Sequence, residues 1–87
     1  MYKKYMEYKT NLGGYYWYRI EPENNSLSCG FEEYTRRCGD VWSTKDGDVD
    51  KGLDEIKRIV PDFYKLICEM LQFYGKDIKD YETGVNQ

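Results

Sequence analysis

An α+β fold, a three- to four-stranded antiparallel meander packed on one C-terminal helix, is predicted by three observations. Up to about residue 44 the chain alternates side-chain character in short runs separated by Gly, Pro and Asn, the period of half-buried strands. From about residue 53 the apolar side chains recur three and four apart, the period of an amphipathic helix. The chain has 87 residues, enough for one hydrophobic core and no more.

The first strand covers residues 2–10. Tyr2, Met6 and Tyr8 share one face, and Lys3, Tyr5, Glu7 and Lys9 share the other. Asn11-Leu12-Gly13-Gly14 is turn material, because Gly reaches positive φ without steric cost. The second strand, residues 15–21, opens with four consecutive aromatics, Tyr15-Tyr16-Trp17-Tyr18. Aromatic residues favour strands, and neighbours in a strand point to opposite faces. Pro22 then removes a ladder donor, and Asn24-Asn25-Ser26 supplies the next turn. The third strand, residues 27–35, puts Leu27, Cys29 and Phe31 on one face and Glu32 and Tyr34 on the other. Val41-Trp42-Ser43-Thr44 forms a short fourth strand. Sequential strands of this kind pair antiparallel.

Met6, Tyr8, Tyr16, Tyr18, Ile20, Leu27, Cys29 and Phe31 are then expected beneath the helix, with Tyr5, Tyr15, Trp17 and Tyr34 on the open face. A slip of one residue in pairing exchanges the two sets.

In the second half, Leu53, Ile56, Val60, Phe63, Ile67, Met70 and Tyr74 form the helical stripe, widened by Ile59, Leu66, Leu71 and Phe73. Asp48 or Asp50 suits the N-cap, and Asp54 and Glu55 suit the positive end of the helix dipole. Gly75 suits the C-terminal cap. Pro61 interrupts the pattern, since it cannot donate to the carbonyl four residues earlier. The helix is therefore kinked or split there, and the unbroken apolar phase favours a kinked helix or two nearly collinear ones over a sharp corner. Residues 1–75 are expected to form a single domain, followed by a polar C-terminal tail over 76–87 anchored only by Ile78, Tyr81 and Val85.

Composition narrows the chemistry. The chain has ten Tyr, no His and no Ala, a bias of AT-rich coding sequence such as low-GC bacteria and their phages carry. Without His, the commonest general base and zinc ligand is missing, and no Ser-His-Asp or Cys-His arrangement can form within the chain. No phosphate-binding glycine loop is present. No enzymatic activity, cofactor or metal is expected. Asp46-Gly47-Asp48-Val49-Asp50 resembles the start of a calcium loop. The sixth and twelfth positions, however, hold Lys51 and Lys57 where Gly and Glu are required. The three Cys form no disulfide framework. Cys29 and Cys38 face each other if they flank a hairpin, and otherwise all three are free thiols of a reducing compartment. No apolar run approaches the ~18 residues that span a membrane, and no segment has the form of a signal peptide. A cytoplasmic protein, in a host cell if the chain is viral, is expected.

Charge is unevenly distributed. Asp46, Asp48, Asp50, Asp54 and Glu55 stand against Lys51, a local net of −4 within a chain of net −3. Such a patch steers association towards a basic surface. Lys3, Lys9, Arg19 and Arg36 border the aromatic open face. The leading expectation is a small non-enzymatic inhibitor of the phage anti-defence or immunity type. It blocks a larger protein, such as a nucleic-acid-binding protein or nuclease. The acidic five supply the charge match, and Tyr5, Tyr15, Trp17 and Tyr34 supply the apolar anchor. The alternatives are a nucleic-acid-binding module stacking bases on the aromatic and basic face, which ranks lower given the net charge, and a structural homodimer.

Overall fold

A computed structural model describes residues 13–33 and 39–82 in full and residues 3–9 as backbone. Four strands, β1 (Lys3–Lys9), β2 (Gly14–Glu21), β3 (Ser26–Glu33) and β4 (Gly39–Ser43), form one antiparallel sheet in the order β1-β2-β3-β4. Three helices follow: α1 (Val49–Ile59), α2 (Pro61–Phe73) and the short α3 (Lys79–Glu82). This is the expected α+β meander with helices on one face.

The β2–β3 connection is a 3₁₀ turn over Pro22–Asn24, closed by Asn25 in the left-handed region at φ 55°. Its N–H donates to the Pro22 carbonyl at 3.1 Å. Asn tolerates this conformation better than other non-glycine residues. The β2–β3 register pairs Tyr16 with Phe31, Tyr18 with Cys29 and Ile20 with Leu27. All lie on the helix side: Phe31 is half-buried, and the other five are buried as expected. Tyr16 packs on Phe31 at 4.8 Å between centroids, and Tyr18 reaches Phe63 of α2 at 5.3 Å.

β1 corrects the expected faces. Met6 pairs with Trp17, Tyr8 with Tyr15 and Tyr5 with Tyr18. Met6 and Tyr8 therefore occupy register positions of the outer face, and Tyr5 a position of the helix face. The reason is the pairing of Lys9 with Gly14. It shifts β1 by one residue relative to the expected alignment, and one residue reverses every position.

β4 turns into α1 through Thr44–Gly47. Gly47 sits at φ 77°, where a Cβ is strained. The Asp48 carboxylate accepts from the Ser43 N–H at 2.8 Å, while its own N–H donates to the Ser43 carbonyl at 3.1 Å. Asp48 is thus the α1 N-cap residue, spending its side chain on the end of β4. α1 then approaches the sheet at Gly52, where a Cβ would lie 2.5 Å from Trp42 Cε3 and 2.6 Å from Cys29 Sγ. That close approach explains a glycine inside a helix, where it costs about 1 kcal/mol relative to Ala.

At Pro61 the helix splits. Val60 leaves helical conformation at φ −130°, ψ 69°, and its N–H still closes α1 onto Ile56 at 2.8 Å. Pro61 begins α2 in the first-turn position where its missing N–H costs nothing. Val60 stays buried beside Ile56 and Phe63, so the apolar phase persists across the break. The α2 terminus is a Schellman motif: Lys76 N–H donates to Leu71 and Gly75 N–H to Gln72, with Gly75 at φ 77°.

Not all of the expected stripe is core. Leu71 is buried, but Phe73 is 78% exposed, and Leu66 and Ile59 sit at the rim. Positions 59, 66 and 73 each stand one residue, about 100° of helical turn, before Val60, Ile67 and Tyr74, so they fall on the flank of the buried face. Residues 76–82, expected within a polar tail, fold back instead. Tyr81 of α3 is buried, and its hydroxyl donates to Asn25 Oδ1 at 3.1 Å. Residues 83–87, with Val85, lie outside the described residues.

Candidate functional site

The five acids of the 46–55 segment do not form one patch. Asp46 is exposed in the β4–α1 turn, where its N–H donates to Ser43 Oγ at 3.0 Å. Asp48 is committed to the backbone of Ser43. Glu55 turns towards the sheet: its Oε2 accepts from the Tyr16 hydroxyl at 3.0 Å, and its Oε1 stands 3.6 Å from Arg58 Nη2. Burial, reinforced by the Glu55 carboxylate, raises the Tyr16 hydroxyl to about 12. The acidic cluster is thereby reduced to Asp46, Asp50 and Asp54.

Tertiary structure adds to that remainder. Asp50, Asp54 and Lys57 follow one stripe of α1 at spacings of four and three, and α3 brings Glu82 alongside them. The four side chains line a shallow cavity of about 180 Å³. The Tyr64 hydroxyl donates to Glu82 and holds it there. Lys57 Nζ lies 5.4 Å from the centre of the Tyr64 ring. Glu82 was not among the expected residues, and no local pattern marks it, because its proximity to Asp50 depends on how α3 docks. Among the described residues no group of His, Cys, Asp or Glu is placed to hold a metal ion.

The expected aromatic anchor is largely dismantled. Trp17 is only 7% exposed, although it lies on the face away from the helices. It lies over Gly30: a Cβ there would fall 2.6 Å from Trp17 Cζ2 and 2.5 Å from the Asp40 carbonyl. A glycine inside a strand marks such an approach. Tyr15 is half-buried and donates to Glu32 Oε1 at 3.3 Å. Tyr5 occupies a helix-face register position opposite Tyr18. Tyr34 and Arg36 lie outside the described residues. Arg19, expected to border the anchor, makes a 2.9 Å ion pair with Glu21 and thereby lowers the Glu21 carboxyl below its ordinary value. Among the described residues, Val41, 57% exposed, is the exposed large apolar side chain on the outer face.

The cysteines of the described residues are free. Cys29 is opposite Trp42 in the β3–β4 register, and Cys38, its expected hairpin partner, lies outside the described residues. Burial, with a smaller contribution from the Asp48 charge, raises the Cys29 thiol to about 12, which makes it unreactive.

Among the described residues no helix is long and apolar enough to cross a membrane. No protein-family model, curated protein or solved structure matches the chain.

Proposed function

We propose that this protein is a non-enzymatic inhibitor that blocks a larger partner by seating an acidic ridge against a basic surface. The ridge consists of Asp50, Asp54 and Glu82, with Asp46 exposed in the turn before α1 as a further carboxylate. The observation that carries this reading is the convergence of Asp50, Asp54 and Glu82 on one cavity. Folding by itself disfavours that convergence. Like charges four apart on a helix destabilise it by about 0.2–0.5 kcal/mol. Asp50 recovers some of this from the helix dipole and Asp54 some from Lys57 three residues on, yet the cavity keeps three carboxylates against one ammonium. Carboxylates gathered at such a cost suit a function in which a cationic partner relieves them.

The partner that fits is a protein with a groove for nucleic-acid phosphates, such as a nuclease or another nucleic-acid-binding protein. Carboxylates along a helix present negative charge where such a groove expects phosphate. Inhibitors of this kind are encoded by phages against host defence and by bacteria as immunity proteins, and the AT-rich composition suits either source. Trp17 supplies no apolar contribution to this surface, because the indole is buried. That burial also weakens the alternative of base stacking, which needs an accessible ring.

The test is affinity capture from an extract of the source organism, with the wild type and with D46K/D54K as baits. Both side chains are exposed, so the fold tolerates the change. The expected result is a retained basic protein that elutes as salt rises, because screening acts on exposed charges, and whose retention falls tenfold or more with the variant. Retention unchanged by D46K/D54K would overturn the reading.

A further inference from the structure

We propose that the outer face of α2 pairs with the same face of a second copy of this chain, the two helices running antiparallel. Leu66, Met70 and Phe73 recur at spacings of four and three, so they share one side of α2. Phe73 is 78% exposed, more than any other large hydrophobic side chain among the described residues, and Leu66 is 37% exposed. Met70 is half-buried and packs against the core from the edge of this ridge. The Phe73 ring meets Tyr74 edge-on at 5.3 Å between centroids. This contact restricts the ring on one side before any partner arrives, which lowers the ordering cost of burying it.

Charge selects the occupant. The ridge begins near Asp62, in the first turn of α2, and ends near Lys76, just past its C-terminus. Neither makes an ion pair among the described residues. An antiparallel second copy puts Leu66 beside Phe73 of that copy and brings Asp62 near Lys76 of that copy, twice over by symmetry, against one approach of exposed Glu69 to its own counterpart at the two-fold axis. It also opposes the two helix dipoles. A parallel second copy would set like charge beside like charge. A 13-residue helix is about 20 Å long. One such face buries less than the roughly 800 Å² per partner of a standard interface, so the dimer is weak and exchanges readily. This surface is separate from the acidic ridge of α1, so a dimer presents two copies of that ridge.

The experiment is light scattering and sedimentation of the full chain over a series from micromolar to millimolar concentration. The mass should rise from 10.5 kDa towards twice that value. F73E should hold the chain at the monomer mass throughout, with an unchanged melting curve. D62K and K76D should each raise the dissociation constant about tenfold, and the combined D62K/K76D should restore dimerisation. A wild type that stays monomeric across the series, an F73E chain that still dimerises, or a double exchange that fails to restore the dimer would each overturn the proposal. D46K/D54K should leave the dimer intact, so this test stands apart from that of the inhibitor reading.

Discussion

The indole of Trp17 lies against the bare backbone of Gly30, its strand partner in the β2–β3 register. This contact makes the outer face of the sheet partly a second packing surface. It turns a side chain expected to bind something into one that holds two strands together.

Gly30→Ala should therefore destabilise the fold although Ala is ordinarily the better residue in a strand. The added Cβ would fall 2.6 Å from Trp17 Cζ2 and 2.5 Å from the Asp40 carbonyl, and the second atom is backbone. Overpacking of this kind costs about 1–3 kcal/mol. Urea unfolding should show the loss, and tryptophan emission should shift to the red as the indole is pushed into water. An unchanged midpoint would mean that the sheet yields without cost there.

The acids of the 46–55 segment should divide into structural and functional groups. Asp48→Ala removes the acceptor of the Ser43 N–H and should cost about 1 kcal/mol, as loss of a part-buried hydrogen bond does. Asp54→Ala should leave stability within about 0.5 kcal/mol of the wild type. Reversing Asp48 and Asp50 together would confound binding with folding, so exposed Asp46 and Asp54 are the informative pair. Paired thermal melts of the single variants check this division.

Stability should fall on the alkaline side. The Tyr16 hydroxyl and the Cys29 thiol are both raised to about 12 in the folded protein, chiefly by burial. In the unfolded chain they ionise near 10.0 and 9.0. Both groups are neutral when protonated, so the unfolded state loses protons first as pH rises. Their contribution is fully present below about pH 9 and is lost progressively as pH climbs towards 12. Burial also raises Tyr81, which adds in the same direction. Urea midpoints from pH 8 to 11 should decline, and Tyr16→Phe should make that decline shallower. An identical slope in the variant would remove Tyr16 from the account.

Much of the fold was legible because its signals are local. Alternation along β2 and β3 placed Tyr16, Tyr18, Ile20, Leu27 and Cys29 in the core, since the two faces of a strand follow from pleat alone. The apolar phase through Val60 and the position of Pro61 marked two helical segments, since a proline ring clashes with the preceding turn in a helix interior and is tolerated in the first turn. The candidate site was less legible. Glu55 and Asp48 carry the same charge as Asp54, and nothing in their neighbours along the chain reveals that one accepts from Tyr16 and the other from Ser43.

The amino-acid sequence by itself determined the order of the four strands and the helical segments around Pro61, the helix-side face of β2 and β3, the absence of histidine chemistry and the excess of acid around α1. Tertiary structure decided the alignment of β1, the burial of Trp17 over Gly30, the exposure of Phe73 and the arrival of Glu82 beside Asp50 and Asp54. The physical reason is range. Side-chain period and backbone stereochemistry act within a few residues. Register, close approach at a glycine and convergence of charge depend on which distant segments come to lie against one another.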